Sequence, residues 1–132
     1  MQPAKPAVSL STIGQIAIIV KDLERAKTFY RDTLGLRFLF DAPELAFFDA
    51  GGVRLMLGKA ERAEFDHPGS ILYYKVADIV GAHHALAEKG VTVEHEPRLV
   101  APMPDHDLWL SFYKDPEGNY FALMSEVPQA QV

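Results

Sequence analysis

The segment VKDLERAKTFYRDTLGL, residues 20–36, returns in altered form as VADIVGAHHALAEKGV, residues 76–91. Val20 falls on Val76, Asp22 on Asp78, Ala26 on Ala82, and Gly35 on Gly90 after a one-residue shift. A second pair follows further along: GGVRLML, ending at Leu57, aligns with EGNYFAL, ending at Leu123, which sets Gly52 on Gly118. A repeat of this length constrains the fold more than any other feature, because each copy is one supersecondary unit.

Each copy reads as one strand, one helix and three strands. In the first, Ile13 to Val20 is strand-like and Asp22 is a plausible N-cap. Leu23, Ala26, Phe29, Tyr30 and Leu34 recur at helical spacing, and Gly35 supplies a left-handed stop. LRFLF, ELAFFD and VRLML are three further strands, the last two joined as a hairpin through Gly51-Gly52. In the second copy, SILYYKV is a strand, Asp78 an N-cap, and Ile79, Ala82, Ala85 and Leu86 a helical stripe ended by Gly90. VTVEHE is a strand. A long loop with three prolines is expected from Pro97 to Asp107. LWLSFYK and NYFALMS then form a hairpin around Asp115-Pro116-Glu117-Gly118. The expected organisation is a loose arm over 1–11, a first module over 12–58, a linker over 59–69, a second module over 70–126 and a tail over 127–132.

The chain has 132 residues, a net charge of −5 and no cysteine. The acidic balance argues against a nucleic-acid or anionic-membrane surface. Without cysteine there is no disulfide, thiolate metal site or thiol nucleophile. No apolar run approaches the roughly 20 residues of a membrane helix, and the N-terminus does not have the form of a secretory signal. A cytoplasmic protein is expected.

The first-module stretch KDLERAKTFYRDTLGL, together with YKVADI and FYKDPEGNYFALM in the second, resembles the vicinal oxygen chelate superfamily over about residues 12 to 126. That superfamily includes glyoxalase I, extradiol dioxygenases, methylmalonyl-CoA epimerase and the bleomycin resistance proteins. The resemblance implies an α+β fold of two βαβββ modules, with mixed sheets curled around a cavity and the helices outside. It also implies a homodimer and a small-molecule ligand.

Metal-dependent members of the superfamily carry ligands at four repeat-related positions, which fall here on Gln15, Met56, Ile71 and Ala122. A divalent metal is the family habit. An amide, a thioether and two aliphatic side chains are a poor set for it, since hard divalent cations want several oxygen ligands and zinc or iron wants imidazole or carboxylate. No metal or other cofactor is expected at these positions. Gln15 must then bond across the cavity, to a ligand or to water, because a buried unpaired amide costs a few kcal/mol.

Strand alternation assigns Gln15, Arg54, Met56, Ile71, Tyr73, Trp109, Tyr120 and Ala122 to the cavity wall, with Trp109, Ser111 and Tyr113 facing the cavity and Leu108, Leu110 and Phe112 facing the helix. Such a lining suits a flat or carboxylate-bearing ligand. Of the histidines, His83 and His84 are expected on the surface. His106, between Asp105 and Asp107 on the long loop, is the one candidate catalytic residue. Two functions follow as alternatives. One is a metal-independent binder of bleomycin-resistance type; the other is an enzyme with an atypical site around His106, which by the resemblance is a lyase or dioxygenase of glyoxalase, dioxygenase or epimerase type.

Overall fold

A computed structural model describes Val8 and residues 10–129. Most of the expected arm and the last three residues of the expected tail lie outside this range. The first module contains β1 (Gln15–Ile19), α1 (Leu23–Thr28), β2 (Arg37–Ala42), β3 (Leu45–Ala50) and β4 (Val53–Gly58). The second contains β5 (Leu72–Lys75), α2 (Ile79–Glu88), β6 (Thr92–Pro102), β7 (His106–Lys114) and β8 (Tyr120–Pro128). A single turn of 3-10 helix, Ala63–Phe65, lies in the linker.

The repeated capping residues do the same work in both copies. Asp22 accepts from the backbone N–H of Arg25 at 3.1 Å, and Asp78 from that of Gly81 at 3.0 Å, so each fixes where its helix begins. α1 loosens into a π-helical turn over Phe29–Thr33. Gly35 and Gly90 then take φ of 73° and 81°, a region open to glycine at little cost.

Each module forms a four-stranded mixed sheet, in the orders β1-β4-β3-β2 and β5-β8-β7-β6. The first strand of each module runs parallel to the last, and the other pairings are antiparallel. Alternation gives each sheet one face under its helix. In the first module Val20, Phe48, Leu55 and Leu57 pack with Ala26 and Tyr30. In the second, Tyr113, Phe121 and Leu123 pack with Ile79 and Leu86. Each of the buried Val, Leu, Ile and Phe side chains contributes roughly 1.5–3 kcal/mol through burial.

The modules are clasped together. Phe29, from the first helical segment, packs into the second core. Tyr30 donates to the buried carboxylate of Asp115 at 2.8 Å. Glu117 accepts from the backbone N–H groups of Lys21 and Asp22 and pairs with Arg25. Asn119 donates to the carbonyl of Ile19 at 3.3 Å. The DPEGN turn therefore grips the start of α1 as well as closing its own hairpin.

Four expectations are corrected. The stretch from Pro97 is no loop: β6 runs to Pro102 and β7 starts at His106. Proline is tolerated there because β6 is the edge strand, and its pairing with β7 shifts register three times. The alternation of β7 is opposite to the reading above. Trp109 packs with the cluster under α2, where Ser111 and Tyr113 are fully buried, whereas Phe112 meets Tyr73 edge to face on the other side. Polar groups sit inside because they satisfy one another, Tyr113 donating to Ser111 at 2.8 Å. His83 is buried rather than on the surface, with Nδ1 2.9 Å from the Tyr113 hydroxyl. Finally, β8 continues through Pro128, into the segment read as tail.

Candidate ligand-binding face

On the face of each sheet turned away from its helix, the pairing register lays side chains in rows across all four strands. In the first module Ala17 pairs with Met56, Met56 with Phe47, and Phe47 with Phe40. The rings of Phe40 and Phe47 stack with centroids 4.6 Å apart. The row at the same rank in the second module is Tyr73, Ala122, Phe112 and His95. There Phe112 meets Tyr73 at 5.9 Å and His95 at 6.1 Å, both nearly perpendicular. Both modules thus present an apolar and aromatic strip, the usual material of a small-molecule site.

The next row of the first module is polar: Gln15, Arg54, Asp49 and Arg37 are paired in turn. Arg54 Nε donates to Gln15 Oε1 at 2.7 Å, and its guanidinium lies 5.1 Å above the Phe47 ring. The amide of Gln15 also points its Nε2 at Met56 Sδ, 3.6 Å away. The partner of Gln15 is therefore a neighbouring strand of its own sheet. In the second module the corresponding positions hold Ile71 and Tyr120, both more than two-fifths exposed, with Lys114 Nζ 5.0 Å from the Tyr120 ring.

The edges of β1 and β5 border a cavity of about 510 Å³ between the modules. Ile16 to Ile19 line one side, Ile71, Leu72 and Tyr74 the other, and Tyr30, Tyr120 and Phe121 also reach it. Burial raises the pKa of both Tyr30 and Tyr74 above the ordinary phenol value, and the nearby Asp115 carboxylate adds to this. Both stay neutral hydroxyls.

The four repeat-related positions do not suit a metal. Gln15 has its oxygen committed to Arg54, Ala122 is buried with no polar side chain, and Met56 and Ile71 carry no charge. A cation beside the Arg54 guanidinium would also meet like charge. Among the described residues no three His, Asp or Glu side chains are grouped so as to hold a metal ion.

His106 sits at the far end of the second face. Its Nδ1 lies 2.6 Å from Asp105, and its Nε2 lies 3.5 Å from Glu126. Glu126 is bound in turn by Lys75 at 2.9 Å. Lys75 holds the Glu126 carboxyl below its usual range, and the bond to His106 does the same for Asp105.

The structure thus brings Gln15, Arg54 and Met56 together, and places Tyr73 beside Ala122. It removes Trp109 from the face and sets His106 apart as part of a charged cluster. Phe40, Phe47 and Phe112 belong to the face but were not singled out from sequence. Alternation along ELAFFD could have found Phe47; Phe40 is hidden by a register shift between Phe38 and Phe40.

Two βαβββ modules with their sheets side by side, open faces exposed and helices behind, define a known architecture. The chain belongs to the Glyoxalase/Bleomycin resistance protein/Dioxygenase superfamily, whose family model matches residues 12–123. Over 122 residues it is 29% identical to the uncharacterized protein YraH of Bacillus subtilis, covering 80% of this chain and 91% of that one. A solved superfamily member from Sphaerobacter thermophilus is similar with a TM-score of 0.73 and 29% identity, covering 89% of this chain and 98% of the other. TnmS3, an antibiotic binding protein from Streptomyces sp. CB03234, is similar with a TM-score of 0.69 and 26% identity, covering 90% and 98%. No helix among the described residues is long and apolar enough to cross a membrane.

Proposed function

We propose that this protein is a metal-independent small-molecule binder of bleomycin-resistance type, acting as a homodimer. The observation that carries the reading is the bond from Arg54 to Gln15. The one polar side chain among the four repeat-related positions is used to hold a cation in place, so that corner of the sheet is built to meet a ligand rather than a metal. The similarity to an antibiotic binding protein supports the same class. Ile71, Tyr73 and Tyr120 are large apolar groups exposed on the open faces, which supports a second copy closing over them.

An enzyme working through His106 is the rival, favoured by the short contact to Asp105. Against it, both ring nitrogens already face carboxylates, and a general base needs one nitrogen free for the substrate. The test is elemental analysis of protein produced in metal-supplemented medium, with light scattering at micromolar concentration. Well under one metal per chain and twice the single-chain mass are expected. One metal per chain, lost on Gln15→Ala, overturns the metal-independent reading; a single-chain mass overturns the dimer.

A further inference from the structure

Gln15 and Arg54 have no amide or guanidinium counterparts in the second module, where Ile71 and Tyr120 stand in their places. This asymmetry bears on what the face can hold. Arg54 is a cation in a chain whose net charge is −5, yet among the described residues no carboxylate lies within 4.0 Å of its guanidinium. Asp49 stands opposite it in the register, but the Asp49 carboxylate accepts from the backbone N–H of Gly52 at 3.1 Å, inside its own hairpin. Arg37, paired with Asp49 on the far side, adds a second guanidinium to this row. The row therefore carries two cations and one engaged anion.

Arg54 is also pre-positioned. Gln15 takes its Nε–H, and the ring of Phe47 lies beneath the guanidinium. The orientation of the planar group is set before any ligand arrives, and among the described residues its terminal nitrogens have no hydrogen-bond partner. A guanidinium so placed matches a carboxylate bidentately. Beside it, the stacked pair Phe47 and Phe40 offers an aromatic surface whose outer member is 46% exposed. Aromatic rings bury area here at small cost in conformational freedom.

We infer that the ligand is a planar aromatic carboxylate, with its ring on the exposed Phe40 at the outer end of the Phe40 and Phe47 stack and its acid on Arg54. This rests on the binder reading above and names the class of molecule that the first-module face selects. A cationic ligand is disfavoured by the same row of charges. Arg54 is exposed, so its replacement is expected to leave the fold in place.

The probes are 2-naphthoate and its neutral analogue 2-naphthylmethanol, titrated calorimetrically into the full chain with and without EDTA. The acid is expected to bind at least about tenfold tighter than the alcohol, the scale of a hydrogen-bonded charge pair. In Arg54→Gln this preference should fall to about twofold, mainly through weaker binding of the acid. Phe40→Ala should weaken both probes alike. Equal binding of acid and alcohol, a preference that survives Arg54→Gln, or no binding of either probe overturns the inference. Binding abolished by EDTA brings down the metal-independent reading instead; EDTA-insensitive binding without acid preference brings down only the ligand class.

Discussion

The hydroxyl of Tyr30, just beyond α1 in the first module, donates to Oδ2 of Asp115 in the second at 2.8 Å. Asp115 is 5% exposed. It also accepts from the backbone N–H groups of Glu117 and Asn119 and from the Asn119 side chain. Four donors converge on one carboxylate, and one of them comes from the other module. Asp115→Ala leaves these donors without an acceptor and should destabilise the fold by about 3 kcal/mol. Tyr30→Phe should cost about 1 kcal/mol. Denaturant unfolding measures both, and equal costs would argue against Asp115 as the hub.

Glu117 makes the junction sensitive to acid. Burial works against its charge, but the backbone N–H of Lys21 and the Arg25 side chain, with Asp22 N–H, bring its pKa below the ordinary 4.5. A carboxyl depressed in the folded state contributes stability above its unfolded pKa and loses it as pH falls through the folded value. The wild type should therefore lose stability steadily as pH drops below about 4.5. Glu117→Gln should be less stable at neutral pH and should show a shallower fall over that acid range. Parallel pH profiles for the two proteins would remove Glu117 from the account.

Tyr113 gives its single hydroxyl proton to Ser111. A hydroxyl that donates to Ser111 can only accept from His83, and the tautomer then expected for the imidazole is the one protonated on Nδ1. Nitrogen-15 spectra should show that tautomer for His83, in contrast to the more exposed His84. Tyr113→Phe leaves His83 and Ser111 without their shared partner and should cost about 2 kcal/mol. An Nε2-protonated His83 would contradict the chain of bonds.

Trp109 packs toward α2, away from the strip of Phe40 and Phe47. Trp109→Phe should change 2-naphthoate affinity by less than about twofold while lowering stability by about 1 kcal/mol, the scale of a trimmed apolar contact. A large loss of affinity with unchanged stability would return Trp109 to the ligand face.

Much of this architecture was legible from local signals. Asp22, Asp78, Gly35 and Gly90 start and stop the helices through contacts within a few residues, so their effect survives in any context. The double-glycine and DPEGN turns behave alike. Because these marks occur twice in register, the two βαβββ modules could be read directly. The polarity of the four repeat-related positions is likewise a property of residue identity alone.

What the sequence could not carry was which face of β7 is inside. Leu108, Leu110 and Phe112 look like the core set, yet Trp109, Ser111 and Tyr113 take that place, Trp109 packing against the cluster under α2 and Tyr113 bonded to both Ser111 and His83 on α2. The edge role of β6, which tolerates its prolines, and the pairing of Gln15 with Arg54 also depend on which strands become neighbours. Sequence alone determined the modules, their capping and the poverty of metal ligands, since each is set by side-chain chemistry and short-range geometry. Only the tertiary structure decided which side chains share a row on the open face, since strand order and register bring together residues as distant along the chain as Gln15 and Arg54.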